Sequence, residues 1–285
     1  MNKNKALLVF QTDFTYKEGA IAAMYGVVKS VDRELEIFDA THEIPQYDIW
    51  SASFRLMQYI HFWPVGTVFV SVVDPGVGTA RKACVARLKG GYLLVTPDNG
   101  TLTHISGSMG IEEVREINES AHRLRGKGTE HTNVFHGRDL FGHIAAKLAA
   151  GIITFENVGP AYPVAQIVTL PTQQPTTQPG MANGILEIGD PNFGNVWTNI
   201  PLEDLMAAGF AYGDLVRVTV HYDGELIFDK VLPFQPSFGY AQKGEGVIYN
   251  NEIMNVSLAI NQGSFMDTYN VGYGPQWAVA FKKTA

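Results

Sequence analysis

The apolar positions in the first half of the chain alternate between continuous runs and spacings of three and four. Ala6 to Phe10 is a continuous run of the kind that forms a buried strand. After Gln11 to Lys17, residues Ala20, Ala23, Met24, Val27, Val28 and Val31 recur at helical spacing and share one face. Leu35 to Phe38 predicts a second strand, and Ile49, Ser53, Leu56, Met57 and Ile60 a second helical stripe before the turn at Trp63-Pro64. Thr67 to Val73 is β-branched and stops at Asp-Pro-Gly, Ala83 to Leu88 and Tyr92 to Val95 predict further strands, and Leu140 to Ala150 predicts a helix closed by Gly151. This alternation predicts an α/β domain over residues 1–167 with a largely parallel central sheet.

The pattern then changes. Residues 168–183 contain Pro171, Pro175 and Pro179 among threonines and glutamines with no apolar period, which reads as a linker. Beyond it, Gly184 to Ile188, Asn195 to Ile200, Asp214 to His221, Gly246 to Tyr249 and Trp277 to Phe281 are short strand-like runs between Gly, Asn and Asp turns. Residues 184–285 are therefore expected to form a smaller all-β domain, a sandwich or barrel.

Composition narrows the function. Only 17% of the 285 residues are charged while 46% are apolar, which suggests that surface is buried in an oligomer. The net charge of −7, with no basic run, argues against nucleic acid and suits a small cationic ligand. The single Cys84 permits no internal disulfide, and no apolar run reaches the ~20 residues of a membrane span. The lead from Met1 to Lys5 is polar and too short for a signal peptide, so a soluble cytoplasmic protein is expected.

Dinucleotide, phosphate-loop, zincin and nucleophile-elbow motifs are all absent. What remains are polar residues where predicted strands end, the side on which open α/β sheets bind ligands. Asp13, in Thr12-Asp13-Phe14, is suited to accept hydrogen bonds from two ribose hydroxyls, or simply to enter a turn. Asp74 opens Asp74-Pro75-Gly76-Val77-Gly78, and Arg81 follows closely enough to pair with it, as an ordinary surface ion pair or as part of a site. Asp98 and Asn99 read as turn residues. His136, in Phe135-His136-Gly137-Arg138-Asp139, has the chemistry of a proton shuttle; His136, Asp139 and His143 also read as metal ligands, against a helix cap for Asp139 and a packed His143. Asp190, Phe193, Asn195 and Trp197 surround Gly194, and could bind an ammonium, stack on a ring and read an adenine edge, or merely form β-turns.

In this order and spacing, these segments resemble the S-adenosyl-L-methionine (SAM) hydrolases, the SAM hydroxide adenosyltransferases, relatives of the SAM halogenases. The resemblance covers nearly the whole chain. It implies a homotrimer whose active sites lie between the N-terminal domain of one subunit and the C-terminal domain of its neighbour. It further implies that Asp13 holds the ribose hydroxyls and that Asp74, Arg81 and His136 handle water. Asp190 would meet the methionine ammonium, Asn195 the adenine, and Phe193 and Trp197 the pocket wall, with Tyr47 an aromatic near the substrate. Two positions depart from the pattern: Thr15 replaces a usual glycine, and Asn251-Glu252 stands where an Asn-Ser pair commonly helps bind the methionine carboxylate.

The implied reaction is attack of water on ribose C5′ to give adenosine and L-methionine. The sulfonium leaves as a neutral thioether, so neither a metal nor a cofactor is called for. Asp74 and His136 are expected to accept the water proton, with Arg81 fixing Asp74. The rivals are a halogenase, disfavoured by Gly137 where that branch has serine and by the short Lys89-Gly90-Gly91 connection, a SAM- or adenosine-binding protein without turnover, and a metal-dependent hydrolase using His136, Asp139 and His143.

Overall fold

A computed structural model describes residues 5–126 and 128–284; the polar lead from Met1 to Asn4 lies outside them. The chain forms two compact units, Met1–Leu170 and Pro171–Ala285. The first contains β1 (Leu8–Thr12), α1 (Ala20–Val31), β2 (Ile37–Thr41), α2 (Ile49–Tyr59), β3 (Val68–Val72), β4 (Ala83–Leu88), β5 (Leu93–Pro97), α3 (Thr103–Ser108), β6 (Ile111–Glu116) and α4 (Glu119–His122). A π-helical turn, Gly137–Gly142, then runs into α5 (His143–Ala149), and β7 (Ala161–Tyr162) follows.

The strand order is β2-β1-β3-β5-β4-β6-β7. Alternate residues of the central strands enter two separate cores, because successive strand side chains point to opposite faces. Leu8, Phe10, Val68, Val70 and Val85 pack with α1 and α5, whereas Val9, Phe69, Cys84 and Leu94 pack with residues of α2 and α3 such as Leu56 and Ile105. Helices on both faces make a three-layer sandwich and explain why β1 and β3 are apolar throughout their buried middles. Asp48 starts α2 by accepting the Ser51 N–H at 2.9 Å, an N-cap worth about 1 kcal/mol.

The sheet is only partly parallel. Strands β2, β1, β3 and β5 run parallel, but β4, β6 and β7 pair antiparallel. The connection Lys89 to Tyr92 is too short for the crossover that a parallel neighbour of β4 requires. The chain leaves β1 for β2 on one side and later enters β3 on the other, so β1 is a switch point. A crevice therefore opens beyond the carboxyl ends of β1 and β3.

The second unit comprises β8 (Thr176–Gln178), β9 (Met181–Gly189), β10 (Val196–Pro201), α6 (Leu202–Ala207), β11 (Leu215–Tyr222), β12 (Glu225–Pro233), β13 (Gly246–Asn250), β14 (Asn255–Ile260), α7 (Phe265–Tyr269) and β15 (Trp277–Lys283). Its strands run β12-β11-β15-β9-β10-β14-β13 with antiparallel pairing, and the bridge between Phe234 and Ile248 brings the two ends together, giving a barrel-like sheet. Two short helices, α6 and α7, depart from the expected all-β composition. The expected linker is not wholly irregular: β8 and the start of β9 form a hairpin around Pro179-Gly180, where Gly180 has φ +73°. The prolines flank β8 and do not interrupt it.

Among the described residues, no helix is long and apolar enough to cross a membrane. Gly159, just before β7, has φ +152°, and a Cβ there would lie 2.2 Å from the Glu116 carbonyl oxygen. Gly159→Ala is expected to destabilise the protein by about 2 kcal/mol or more, read as a drop of several degrees in the thermal unfolding midpoint; an unchanged midpoint would contradict this packing.

Candidate active site

Asp13 and Asp74 follow β1 and β3, whose ends pair at Thr12 and Val72. The two carboxylates are thus placed beside one another on the crevice edge by strand register. Asp13 is buried, with Oδ2 accepting the Tyr47 N–H at 2.9 Å. Burial raises its pKa, the Tyr47 and Asp13 N–H groups act in the opposite sense, and the charge of Asp74 adds to the rise. A carboxylate in this state gains from a ligand that brings hydroxyl donors. Tyr47 itself has φ +67° and an exposed ring, so its fixed contribution is the backbone donor.

A second layer fixes the loop that carries Asp13. Thr12 Oγ1 accepts the Phe14 N–H at 3.1 Å and lies 2.8 Å from His42 Nδ1. His42 Nε2 lies 2.9 Å from Asp39, and the His42 carbonyl accepts the Thr15 N–H at 2.8 Å. Since Asp39 is an acceptor, Nε2 carries the proton and Nδ1 takes the Thr12 hydroxyl. Thr15 has φ +56°, the backbone state that explains why glycine is usual in the pattern the chain resembles. Sequence reading missed His42 and Asp39. The available signal was a histidine just beyond β2, on the same sheet edge as Asp13.

Asp74 and Arg81 are held on one rigid loop. Arg81 Nε donates to Oδ1 and Oδ2 of Asp74 at 2.9 and 3.1 Å, and Nη2 donates to Oδ2. Asn99 Nδ2 donates to the Val73 carbonyl at 2.9 Å and ties that loop to the end of β5. Asp98, read from sequence as a turn residue, is buried and accepts from the Tyr162 hydroxyl and the Val168 N–H. The side chains of Arg81 and Asp74 are only 10% and 5% exposed, so this is no surface ion pair. The Arg81 guanidinium also lies over the Phe141 ring, 5.2 Å from its centroid.

Arg81 Nη2 sits 2.9 Å from His136 Nδ1. Arginine only donates, so Nδ1 presents its lone pair and the neutral imidazole carries its proton on Nε2. His136 is therefore a donor at Nε2 and not the proton acceptor expected from sequence. Its Nε2 and Arg81 Nη1 are buried with no hydrogen-bond partner among the described residues. Burial first, and then the Arg81 charge, lower the His136 pKa and keep the ring neutral.

The alternative cluster does not assemble around His136. Asp139 is fully buried, accepts from Arg138 Nε and Nη2 at 2.6 and 2.9 Å, and lies inside the π-helical turn, so it caps no helix. His143 Nδ1 donates to the His122 carbonyl at 2.7 Å. Among the described residues, no three His, Cys, Asp or Glu side chains are grouped to hold a metal ion.

In the second unit, a cavity of about 900 Å³ is lined by Asp190, Phe193, Asn195 and Trp197, the residues singled out from sequence, and by Phe238 and Tyr249. Asp190 Oδ1 accepts the Asn192 and Phe193 N–H groups, which fixes the carboxylate in a tight loop. Gly194 has φ +67°, and a Cβ there would meet Ser264 Oγ at 2.0 Å, so glycine is required for the loop to lie on α7. Burial pushes the Tyr249 phenol up to about 12, keeping it protonated beside Trp197 and Ser257. Tyr249 ends the run Gly246 to Tyr249, read from sequence only as a short strand, which is why sequence gave no sign of it.

The Arg81 contact makes a measurable claim. In an NMR titration, the His136 ring should stay neutral below the ordinary histidine pKa of about 6.5. Arg81→Met should raise its titration midpoint, whereas Arg81→Lys, which keeps the charge, should leave it low. A midpoint unmoved in Arg81→Met would contradict the contact.

Comparison with known proteins follows the same division. A model described as the SAM hydroxide adenosyltransferase N-terminal domain matches residues 8–159, and the corresponding C-terminal domain model matches residues 185–278. The chain is similar to an (R)-S-adenosyl-L-methionine hydrolase of Salinispora arenicola, 36% identical over 273 residues that cover 95% of this chain and 96% of that protein. It is also similar to a fluorinase of Actinoplanes sp., 29% identical over 292 residues that cover 94% and 95% of the two chains. A crystal structure of an uncharacterized conserved protein from Thermotoga maritima matches with a TM-score of 0.86 and 30% identity, covering 97% of this chain and all of that one. With both domain models matched in order, this chain belongs to the SAM hydroxide adenosyltransferase family.

Proposed function

We propose that this chain hydrolyses SAM to adenosine and L-methionine by in-line attack of water on ribose C5′. The observation that carries this reading is the pair of buried, unpartnered donors, His136 Nε2 and Arg81 Nη1, beside the Asp74 carboxylate. A small oxygen nucleophile supplies the acceptor that such a donor lacks and a proton for the Asp74 carboxylate. Donors of this kind favour the hydroxide over neutral water in a site of low dielectric.

The chemical difficulty lies with the nucleophile. As water attacks, the O–C5′ bond forms, the C5′–S bond breaks with its electron pair going to sulfur, and the proton passes to Asp74. The neutral thioether requires no acid. Holding water and sulfonium in line supplies ~7 kcal/mol or more of the barrier lowering. Asp13, held by Tyr47 N–H, accepts from the ribose hydroxyls. In the second unit Asp190 meets the ammonium, Asn195 the adenine edge, and Phe193 and Trp197 the ring faces.

Relatives bear both hydrolase and fluorinase names. Water is favoured here because a halide brings no proton for Asp74 and gains nothing from a carboxylate beside it. Each unit carries a different half of the required contacts, and the chain has few charges, 17%. Both features support a homotrimer in which the second unit of one subunit completes the first unit of its neighbour.

The test is incubation with SAM in ¹⁸O-water without added halide, with products read by mass spectrometry and subunit mass by light scattering. Adenosine labelled at the 5′ oxygen, formed by a trimer, is the expected result. Absence of adenosine, or 5′-halo-adenosine as the main product once halide is added, would overturn hydrolysis. Because His136 must stay neutral, activity should fall only as pH drops below about 6.5, the ordinary histidine value.

A further inference from the structure

The cavity in the second unit has an unbalanced wall. Among the described residues, three carboxylates line it, Asp190, Glu252 and Asp267, and no lysine, arginine or histidine does. Several backbone donors of the wall are already engaged. The Asn192 and Phe193 N–H groups bond to Asp190 Oδ1, the Gly194 N–H to the Asp190 carbonyl, the Met266 N–H to the Gly194 carbonyl, and the Asp267 N–H to Ser264 Oγ.

That the wall is built for a ligand is shown by Asn251. Its side chain is 95% buried, because its relative exposure is only 5%, and it lines the cavity. Oδ1 accepts the Ile253 and Asn255 N–H groups at 3.0 and 2.9 Å, while Nδ2 has no partner among the described residues. This buried neutral donor serves a ring nitrogen or hydroxyl of a bound nucleoside. It does not offset the charge of three carboxylates. The aromatic rings of Phe193, Trp197, Phe238 and Tyr249 add a second preference of the same sign, because ring faces attract cations.

From this we infer that the cavity selects an adenosyl sulfonium whose tail ends in an ammonium group without a carboxylate, such as decarboxylated SAM, over SAM itself. The inference rests on the reading of the chain as an adenosyl-sulfonium hydrolase and deepens it by naming the tail. The SAM tail is zwitterionic, so its carboxylate shares the cavity with Asp190, Glu252 and Asp267, and this unit's described lining residues offer no cation to receive it. A tail with only an ammonium meets the same wall with attraction throughout. Cleavage is otherwise unchanged: water oxygen bonds to C5′, the C5′–S pair passes to sulfur, the proton goes to Asp74, and 3-(methylthio)propylamine leaves with adenosine.

The experiment measures binding and turnover separately on the full chain. Isothermal titration with each compound should give decarboxylated SAM at least about a tenfold lower Kd, equivalent to about 1.4 kcal/mol. In an equimolar mixture, the amine product should exceed methionine. Glu252→Ser and Asp267→Asn should each narrow the ratio of dissociation constants. SAM bound as tightly as the decarboxylated compound, or a ratio unmoved by both substitutions, would overturn the proposal. Should the preference in binding appear without adenosine from either compound, the tail selectivity stands and hydrolysis fails. Adenosine from both compounds without preference has the opposite meaning.

Discussion

The contact on which the account turns is the guanidinium of Arg81 held between Asp74 and His136. Nearly buried, it neutralises a carboxylate that would otherwise resist leaving water, and it forces the neighbouring imidazole into one tautomer. Removing one member of such a buried pair leaves an uncompensated charge, at a cost of about 3–5 kcal/mol. The same contact leaves the proton of His136 on the buried Nε2, as a donor. Stability and chemistry therefore rest on one geometry.

The fold supplies this geometry through β1 and its two parallel neighbours. Register between β1 and β3 sets Asp13 beside Asp74, and the switch in chain direction at β1 opens the crevice above them. The supports come from farther along the chain. Asn99 fastens the Asp74 loop, His42 and Asp39 fasten the Asp13 loop, and the π-helical turn after His136 buries Asp139 against Arg138. Residues read from sequence as ordinary turn or cap formers are thus tied into the walls of the site. The second unit uses the same device on a smaller scale, where Gly194 lets the Asp190 loop lie against Ser264.

Much of this was legible in the residues because strong periodicity and strand-end motifs coincide. β1, β3 and α1 follow apolar runs that few alternatives accommodate, and Asp13, Asp74 and Asp190 each follow such a run. What escaped did so for identifiable reasons. β12 buries only Phe228 and Leu232 along its core-facing positions while Leu226 and Val231 are exposed, so its alternation is weak, and β6 carries Glu112, Glu113 and Arg115 within six residues. The parallel bias of the sheet was overestimated because Lys89 to Tyr92 is a hairpin and not a crossover. The role of His136 could not be read from its motif, since a tautomer depends on a partner fifty-five residues away in the chain, Arg81.

The central claim is that Asp74 and His136 act on water and not on substrate affinity. It is tested most directly by measuring SAM binding and single-turnover adenosine formation in Asp74→Asn and His136→Ala. The account predicts binding within a few-fold of the parent chain and adenosine formation slower by about 10²–10⁴-fold. Undiminished turnover, or binding lost in step with turnover, would contradict it.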